Sequence, residues 1–135
     1  MTRYLLDTSI LHHALRPALP TKLQSWLGDQ NDRDLFVASL TIAEIRRGLL
    51  ALPAGNRRIQ LEGWFYGPEG PQALFAGRVL PFDERAGLIW ARLMTEGRPR
   101  SALDMIIAAI AEAHGCIVVT DNEKSFAGMT IVNPL

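Results

Sequence analysis

The sequence predicts an α/β fold with a central parallel sheet covered by helices on both faces. Three observations point there. Apolar, β-branched runs alternate along the chain with stretches of helical periodicity. The runs "YLL", "LFVAS" and "CIVVT" are apolar continuously, not at every second position, which marks strands buried on both sides. Acidic residues stand just beyond the ends of these runs, where ligands gather in parallel sheets.

Residues 3–6 form the first strand, and the helix after it is expected to stop near Arg16, because Pro17 disfavours a helical residue before it. Leu35–Ser39 is a second strand. Thr41–Leu52 follows as a helix with Ile42, Ile45, Leu49 and Leu52 on one face. Residues 57–66 read as helical, and "GPEGP" (Gly67–Pro71) is a break. Val79–Phe82 is a weak strand, demoted by Pro81. Asp83 then caps a helix with Ala86, Ile89, Trp90 and Leu93 on one face. After the loop "GRPR", Ser101–Gly115 is a helix apolar almost all round, hence buried, with Gly115 as its stop. "CIVVTDN" holds the last core strand, and the chain closes on "MTIVNPL".

A chain of 135 residues is the size of one domain, expected here to span 1–135. Its 14 basic and 14 acidic residues cancel, so any nucleic-acid contact must come from a local patch and not from overall charge. The single cysteine, Cys116, excludes an internal disulfide and is expected to be a small core residue. The amino terminus has no secretory pattern and no apolar run is long enough to span a bilayer, so a cytoplasmic protein is expected.

Asp7 follows the first strand and Asp121 the last, so parallel pairing puts both at one sheet edge. Glu44 and Asp104 lie in the first turns of helices that open toward the same edge. Each acid also has a plain structural explanation. Asp7 is placed to cap a helix, Thr41-x-x-Glu44 and Ser101-x-x-Asp104 match capping boxes, and Asp121-Asn122 suits a turn. Glu44, however, points away from the apolar stripe of its helix, and a carboxylate on the apolar helix of Asp104 needs a partner. Four converging carboxylates repel one another, and a hard divalent ion, Mg²⁺ or Mn²⁺, resolves the repulsion with oxygen ligands. Softer metals find no convincing ligand spacing, and His12 and His13 are expected to be solvated surface. The chain has no phosphate-binding GxxxxGK[ST] loop and no G-x-S-x-G elbow.

"YLLDTSIL", "SLTIAEIRRGL", "ALDMIIAAIAEAHG" and "IVVTDNEKSFAGMTIVNPL", in this order, resemble the PIN-domain ribonucleases, specifically VapC-type toxins of prokaryotic toxin–antitoxin pairs. The resemblance runs from residue 4 to the C-terminus, with little information in residues 52–80. It implies a PIN-like α/β/α sandwich, an Mg²⁺- or Mn²⁺-dependent endoribonuclease site, a cognate antitoxin and a homodimer. Asp7, Glu44 and Asp104 fall on the family's first three acids, Thr8 and Ser9 on its small polar residues, and Thr120 on the threonine of its last motif. That motif departs from the frequent T-R-N-x-x-D-F: Ser125 stands at the later aspartate, and an acid occurs instead at Asp121. Either Asp121 supplies the fourth carboxylate or the site works with three, and a contribution from Asp121 is expected.

On this reading Asp7, Glu44, Asp104 and Asp121 hold the metal and carry catalysis, supported by Thr8, Ser9, Thr120 and Asn122. Arg46, Arg47, Arg98, Arg100 and Lys124 lie near the acids in sequence and are candidates for phosphate contacts with RNA. Trp26, Trp64 and Phe65 suit either core or interface. Two rivals are a non-catalytic PIN-like module binding RNA or protein, suggested by Ser125, and a receiver-type signalling domain. The second would need an acid beside Asp7, and none is there.

Overall fold

The computed structural model describes residues 1–14, 18–97 and 99–135. Five parallel strands form one sheet among them, in the order β3-β2-β1-β4-β5. These are β1 (Arg3–Leu6), β2 (Leu35–Ala38), β3 (Val79–Leu80), β4 (Cys116–Val119) and β5 (Ile131–Val132). The helices are α1 (Thr8–Ala14), α2 (Thr21–Gly28), α3 (Ser39–Leu50), α4 (Asn56–Tyr66), α5 (Pro71–Leu74), α6 (Glu84–Thr95) and α7 (Ala102–His114).

β1 lies at the centre, with Leu5 paired to Phe36 of β2 on one side and to Val118 of β4 on the other. Strand side chains alternate between faces, so neighbouring residues enter different cores. Leu5, Phe36, Ala38 and Val118 pack under α6 and α7, with Ile107, Ala108 and Ile110 fully or nearly buried. Leu6, Leu35, Val37 and Val119 pack against Ile10, Leu11 and Leu23 of α1 and α2, with Ile42 and Ile45 of α3 beside them. Continuously apolar strands are what a sheet with two covered faces requires, and the α/β/α sandwich is the result.

The topology creates a crevice. From β1 the chain builds outward through β2 and β3, then returns to lay β4 on the opposite side of β1. Connections therefore diverge at the carboxyl ends of β1 and β4, the position where open parallel sheets hold ligands.

Several elements differ from expectation. α3 starts at Ser39, not Thr41, with Ala38 at its N-cap position and no side-chain cap, so Thr41-x-x-Glu44 is not a capping box. Thr41 is instead fully buried inside the helix. Val79–Leu80 is a real strand, cut to two residues because Pro81 cannot extend the ladder, and it sits at the sheet edge. α2 and β5 were not anticipated. Cys116 is half-buried at the start of β4, not a full core residue, and burial raises its thiol pKa. Asp83 does cap α6, accepting from the Ala86 N–H at 2.9 Å, and Gly115 ends α7 at φ 65°. Phe65 is core, while Trp26 meets the Tyr4 ring edge-on at 5.1 Å. The first helix is described to Ala14, and its expected stop at Arg16–Pro17 lies outside the described residues.

The break at Gly67–Pro71 has a steric cause. A Cβ on Gly70 would collide with the carbonyl oxygens of Phe65 and Trp64 at the end of α4. Backbone on both sides leaves little room to relax, so Gly70→Ala should cost about 1–3 kcal/mol, the range for overpacking. Urea denaturation of the variant beside wild type checks this; an unchanged midpoint would show that the α4–α5 turn yields.

Candidate active site

Asp7 leaves β1 at the centre of the sheet and is only 5% exposed. Its backbone still belongs to the sheet, since its N–H donates to the Val119 carbonyl at 2.9 Å, while its own carbonyl accepts from the Ile10 N–H at 3.0 Å as α1 begins. Its carboxylate is held from three directions. Oδ1 accepts from the Thr8 N–H at 2.9 Å, and Oδ2 accepts from Ser9 Oγ at 3.1 Å and Thr120 Oγ1 at 2.8 Å. Burial nonetheless raises the Asp7 pKa; those three hydrogen bonds oppose the rise, and the nearby charge of Asp104 adds to it.

Glu44 reaches the same edge from α3. Its Oε1 accepts from Thr8 Oγ1 at 2.8 Å, and Thr8 Oγ1 also lies 3.0 Å from Thr41 Oγ1. A carboxylate only accepts, so the single Thr8 proton goes to Glu44 and the Thr41 hydroxyl supplies the proton of the other pair. Thr8 thereby ties the start of α1 to α3. Asp104 stands in the first turn of α7, where its N–H donates to the capping Ser101 Oγ at 3.3 Å.

Asp121 follows β4, and its Oδ2 lies 2.7 Å from His13 Nε2. Partial burial pulls the Asp121 pKa up, but the His13 contact, with the Ser9 hydroxyl nearby, outweighs it and holds the carboxyl below its ordinary value. The Asn122 N–H donates to Thr120 Oγ1 at 3.0 Å, fixing the hydroxyl that serves Asp7.

Asp7, Glu44, Asp104 and Asp121 line one open cavity of about 390 Å³ together with Thr8, Ser9 and Asn122. All four predicted acids are thus brought together. Ser125 is not in this cavity; it accepts from Asn122 Nδ2 at 2.8 Å and borders a smaller cleft with Arg100 and Lys124. The basic candidates divide. Arg46 turns away toward α4, 3.6 Å from Glu62 and stacked near the rings of Phe65 and Tyr66. Arg47 is 72% exposed and 3.9 Å from Glu44. Arg98 lies outside the described residues.

Two residues of the site escaped sequence reading. His13, expected to be solvated surface, is half-buried against Asp121. Its signal was present: His13 is four residues after Ser9, hence on the same side of α1. Thr41 was read as a cap, although three residues before Glu44 also puts it on the Glu44 side of the helix.

The donor chemistry fits a hard divalent cation, because the cavity lining offers carboxylate, hydroxyl and amide groups and neither a thiol nor an imidazole. Among the described residues, no three His, Cys, Asp or Glu side chains stand close enough together to hold one metal ion as placed. The fit is therefore one of ligand type and shared cavity.

Four acids at the diverging ends of a parallel sheet, Asp7 and Glu44 among them steadied by hydroxyls, make a hydrolase-type site of the kind suited to phosphate esters. A family model described as PIN domain matches residues 4–130, and the chain belongs to that family. It is 37% identical to the VapC ribonuclease Y4jK of Sinorhizobium fredii, covering 96% of this chain and 95% of that one. It is 35% identical to the toxin FitB of Neisseria gonorrhoeae, covering 96% of each. Among solved structures, FitAB bound to an IR36 DNA fragment superposes with a TM-score of 0.85 at 34% identity, covering 97% of this chain and 94% of that one.

The buried carboxylate yields a prediction about pH. The folded chain holds the Asp7 proton more tightly than the unfolded chain, whose carboxyl titrates near its ordinary 3.8. The metal-free protein therefore loses stability as pH rises from that value through the raised folded one. Asn carries no charge, and the Ser9 and Thr120 hydroxyls can rotate to accept from its amide. Metal-free Asp7→Asn should be more stable than wild type at pH 7, with the advantage shrinking as pH falls through the raised folded value and gone below about pH 4. Thermal melts in EDTA across that range test it, and an Asn variant less stable at pH 7 would contradict it.

Proposed function

We propose that this protein is a divalent-metal-dependent endoribonuclease, the toxin of a toxin–antitoxin pair, with Asp7, Glu44, Asp104 and Asp121 as its working acids. The observation that carries the proposal is the convergence of these carboxylates on one cavity in a chain of the PIN-domain family. The names of its relatives, a ribonuclease and a toxin, support the activity class and the role.

Asp7 and Asp104 would hold Mg²⁺ or Mn²⁺, with Glu44 and Asp121 completing the set. The cation supplies Lewis-acid polarisation of the phosphate and activation of water. The protein's own contribution is arrangement. Thr8, Ser9 and Thr120 fix the Asp7 carboxylate from both oxygens, so its lone pairs are aimed before any ligand arrives. Glu44 is anchored through Oε1, and Oε2, which has the exposed Arg47 3.9 Å away, would orient the attacking water and take its proton. Hydrolysis would form a new P–O bond to the water oxygen and break one P–O ester bond, the proton taken by Glu44 passing to solvent and the leaving oxygen taking one from solvent water. Arg47, Arg100 and Lys124 are the rim cations able to meet RNA phosphates, giving affinity without base choice.

The same proposal includes a cognate antitoxin, a homodimer and a cytoplasmic location. FitAB, whose toxin is a relative of this chain, is an assembly on DNA, which supports a partner protein. Among the described residues no helix is long and apolar enough to cross a membrane. Ser125 favours one alternative, a PIN-like binding module that holds RNA or protein without cutting.

Mn²⁺ at about 100 times its Kd should stabilise the folded chain by about 2.7 kcal/mol. Asp104→Asn should erase that gain and reduce cleavage of a mixed-sequence RNA by at least about 100-fold, the upper end of what losing a mere outer-shell partner costs. Mn²⁺ stabilisation without RNA cleavage by wild type would favour the binding module. An Asp104→Asn variant that keeps both responses would remove Asp104 from the site.

A further inference from the structure

Building on the nuclease reading above, we infer that His13 is a positioning residue: it clamps the Asp121 carboxylate at the mouth of the acidic cavity. The contact is short, 2.7 Å from Nε2 to Oδ2, and joins elements 108 residues apart in the chain. α1 begins directly after Asp7, and somewhat less than two turns of helix separate that carboxylate from the imidazole. One rigid element thus sets the distance between the central acid and the group that holds the outermost one.

Asp121 has few other holds. Among the described residues its one ion-pair partner is His13, and no Lys or Arg lies within 4.0 Å. Ser9 borders both Asp121 and Asp7, but it has a single hydroxyl proton, and the buried Asp7 carboxylate takes it at 3.1 Å. His13 is what remains to fix Asp121. The clamp needs a proton on Nε2 and nothing more, so the neutral Nε2–H tautomer and the imidazolium both provide it.

Both side chains keep a quarter to a third of their exposure, 24% for His13 and 31% for Asp121. A pair this wet contributes little to stability, about 0–1 kcal/mol. Its consequence is geometric: without it, a carboxylate on a loop after β4 is free to rotate into solvent. His12, the neighbouring imidazole, cannot substitute, since it borders an adjoining groove on the Glu44 side, lined by Ile45, Leu49 and Trp64 and without Asp121.

The test is a double-mutant cycle with a conservative rescue. Wild type, His13→Ala, His13→Gln, Asp121→Asn and His13→Ala/Asp121→Asn are compared in two assays: Mn²⁺ affinity by titration of the free-ion EPR signal, and kcat and KM on mixed-sequence RNA. His13→Ala should weaken Mn²⁺ binding and lower kcat by about tenfold, as loss of a residue orienting a metal ligand does, with KM for RNA unchanged. His13→Gln, whose amide donates from nearly the Nε2 position, should recover to within about threefold of wild type. The double variant should be no worse than Asp121→Asn alone. Fully additive losses, or a Gln variant as impaired as Ala, would overturn the inference while leaving the nuclease reading intact. Melting curves of metal-free His13→Ala should match wild type, and a large drop would mean a structural role instead. Wild-type protein that neither binds Mn²⁺ nor cuts RNA would overturn the nuclease reading and this inference with it.

Discussion

The structure turns on one buried carboxylate. Asp7 is the first residue past the central strand, it is almost fully enclosed, and its pKa is raised by that enclosure. A charge in such a place must be met by donors or it destabilises the fold. The donors come from three places: the backbone at the start of α1, the Ser9 hydroxyl on α1, and Thr120 at the end of β4. Thr120 is itself fully buried and caught by the Asn122 N–H, so the turn after β4 is shaped around Asp7. That turn then delivers Asp121. The position of one acid follows from satisfying another.

The same logic separates capping from chemistry. Asp7 occupies the residue before α1, yet its side chain accepts from the adjacent Thr8 N–H and from two hydroxyls, not from the N–H two or three residues on that an N-cap serves. A cap would be satisfied at the surface by backbone alone. Drawing in side chains from both ends of the chain costs burial of Thr120 and Asp7 together, and what results is an aimed pair of carboxylate oxygens. Thr8 does the corresponding work for Glu44, with Thr41 behind it in the core.

How much of this was legible in the sequence depends on how strongly each signal was local. The doubly covered parallel sheet was readable, because continuous apolar strands and the nearly all-apolar helix of Ala102–His114 have no other comfortable home. The convergence of Asp7 and Asp121 followed from parallel strand direction, and that of Asp104 from its place in the first turn of α7. Glu44, expected in a first turn, sits beyond it because α3 begins at Ser39. α2 was not readable: it opens after Pro20 without a side-chain cap and buries only Leu23 fully. β5 is two residues long and exists because β4 offers it an edge, a tertiary reason that no local pattern carries. The start of α3 moved to Ser39 because helix ends are set by where the chain leaves the sheet as much as by capping residues. His13 was misplaced for a different reason. Neighbouring histidines suggested surface, whereas their successive positions on a helix point them about 100° apart, one toward Asp121 and the other toward the α3–α4 groove.

Net charge adds a constraint on how such a site works. The chain is neutral overall, so there is no global field to draw in a polyanion, and the cavity itself presents four carboxylates and no cation. RNA arriving at this cavity meets repulsion unless the acids are neutralised first. Arg47 offsets Glu44 only weakly at 3.9 Å with most of its side chain in water, and Arg46 is committed to Glu62 and the α4 aromatics. Arg100 and Lys124 flank a cleft beside the site and do not enter it. Of the cations proposed to meet RNA phosphates, Arg100 and Lys124 are thus set apart from the acids, while Arg47 lies beside Glu44. Phosphate contacts at Arg47, Arg100 and Lys124 would weaken with salt through counterion release, while the buried Asp7 carboxylate, screened much less, would keep its charge interactions.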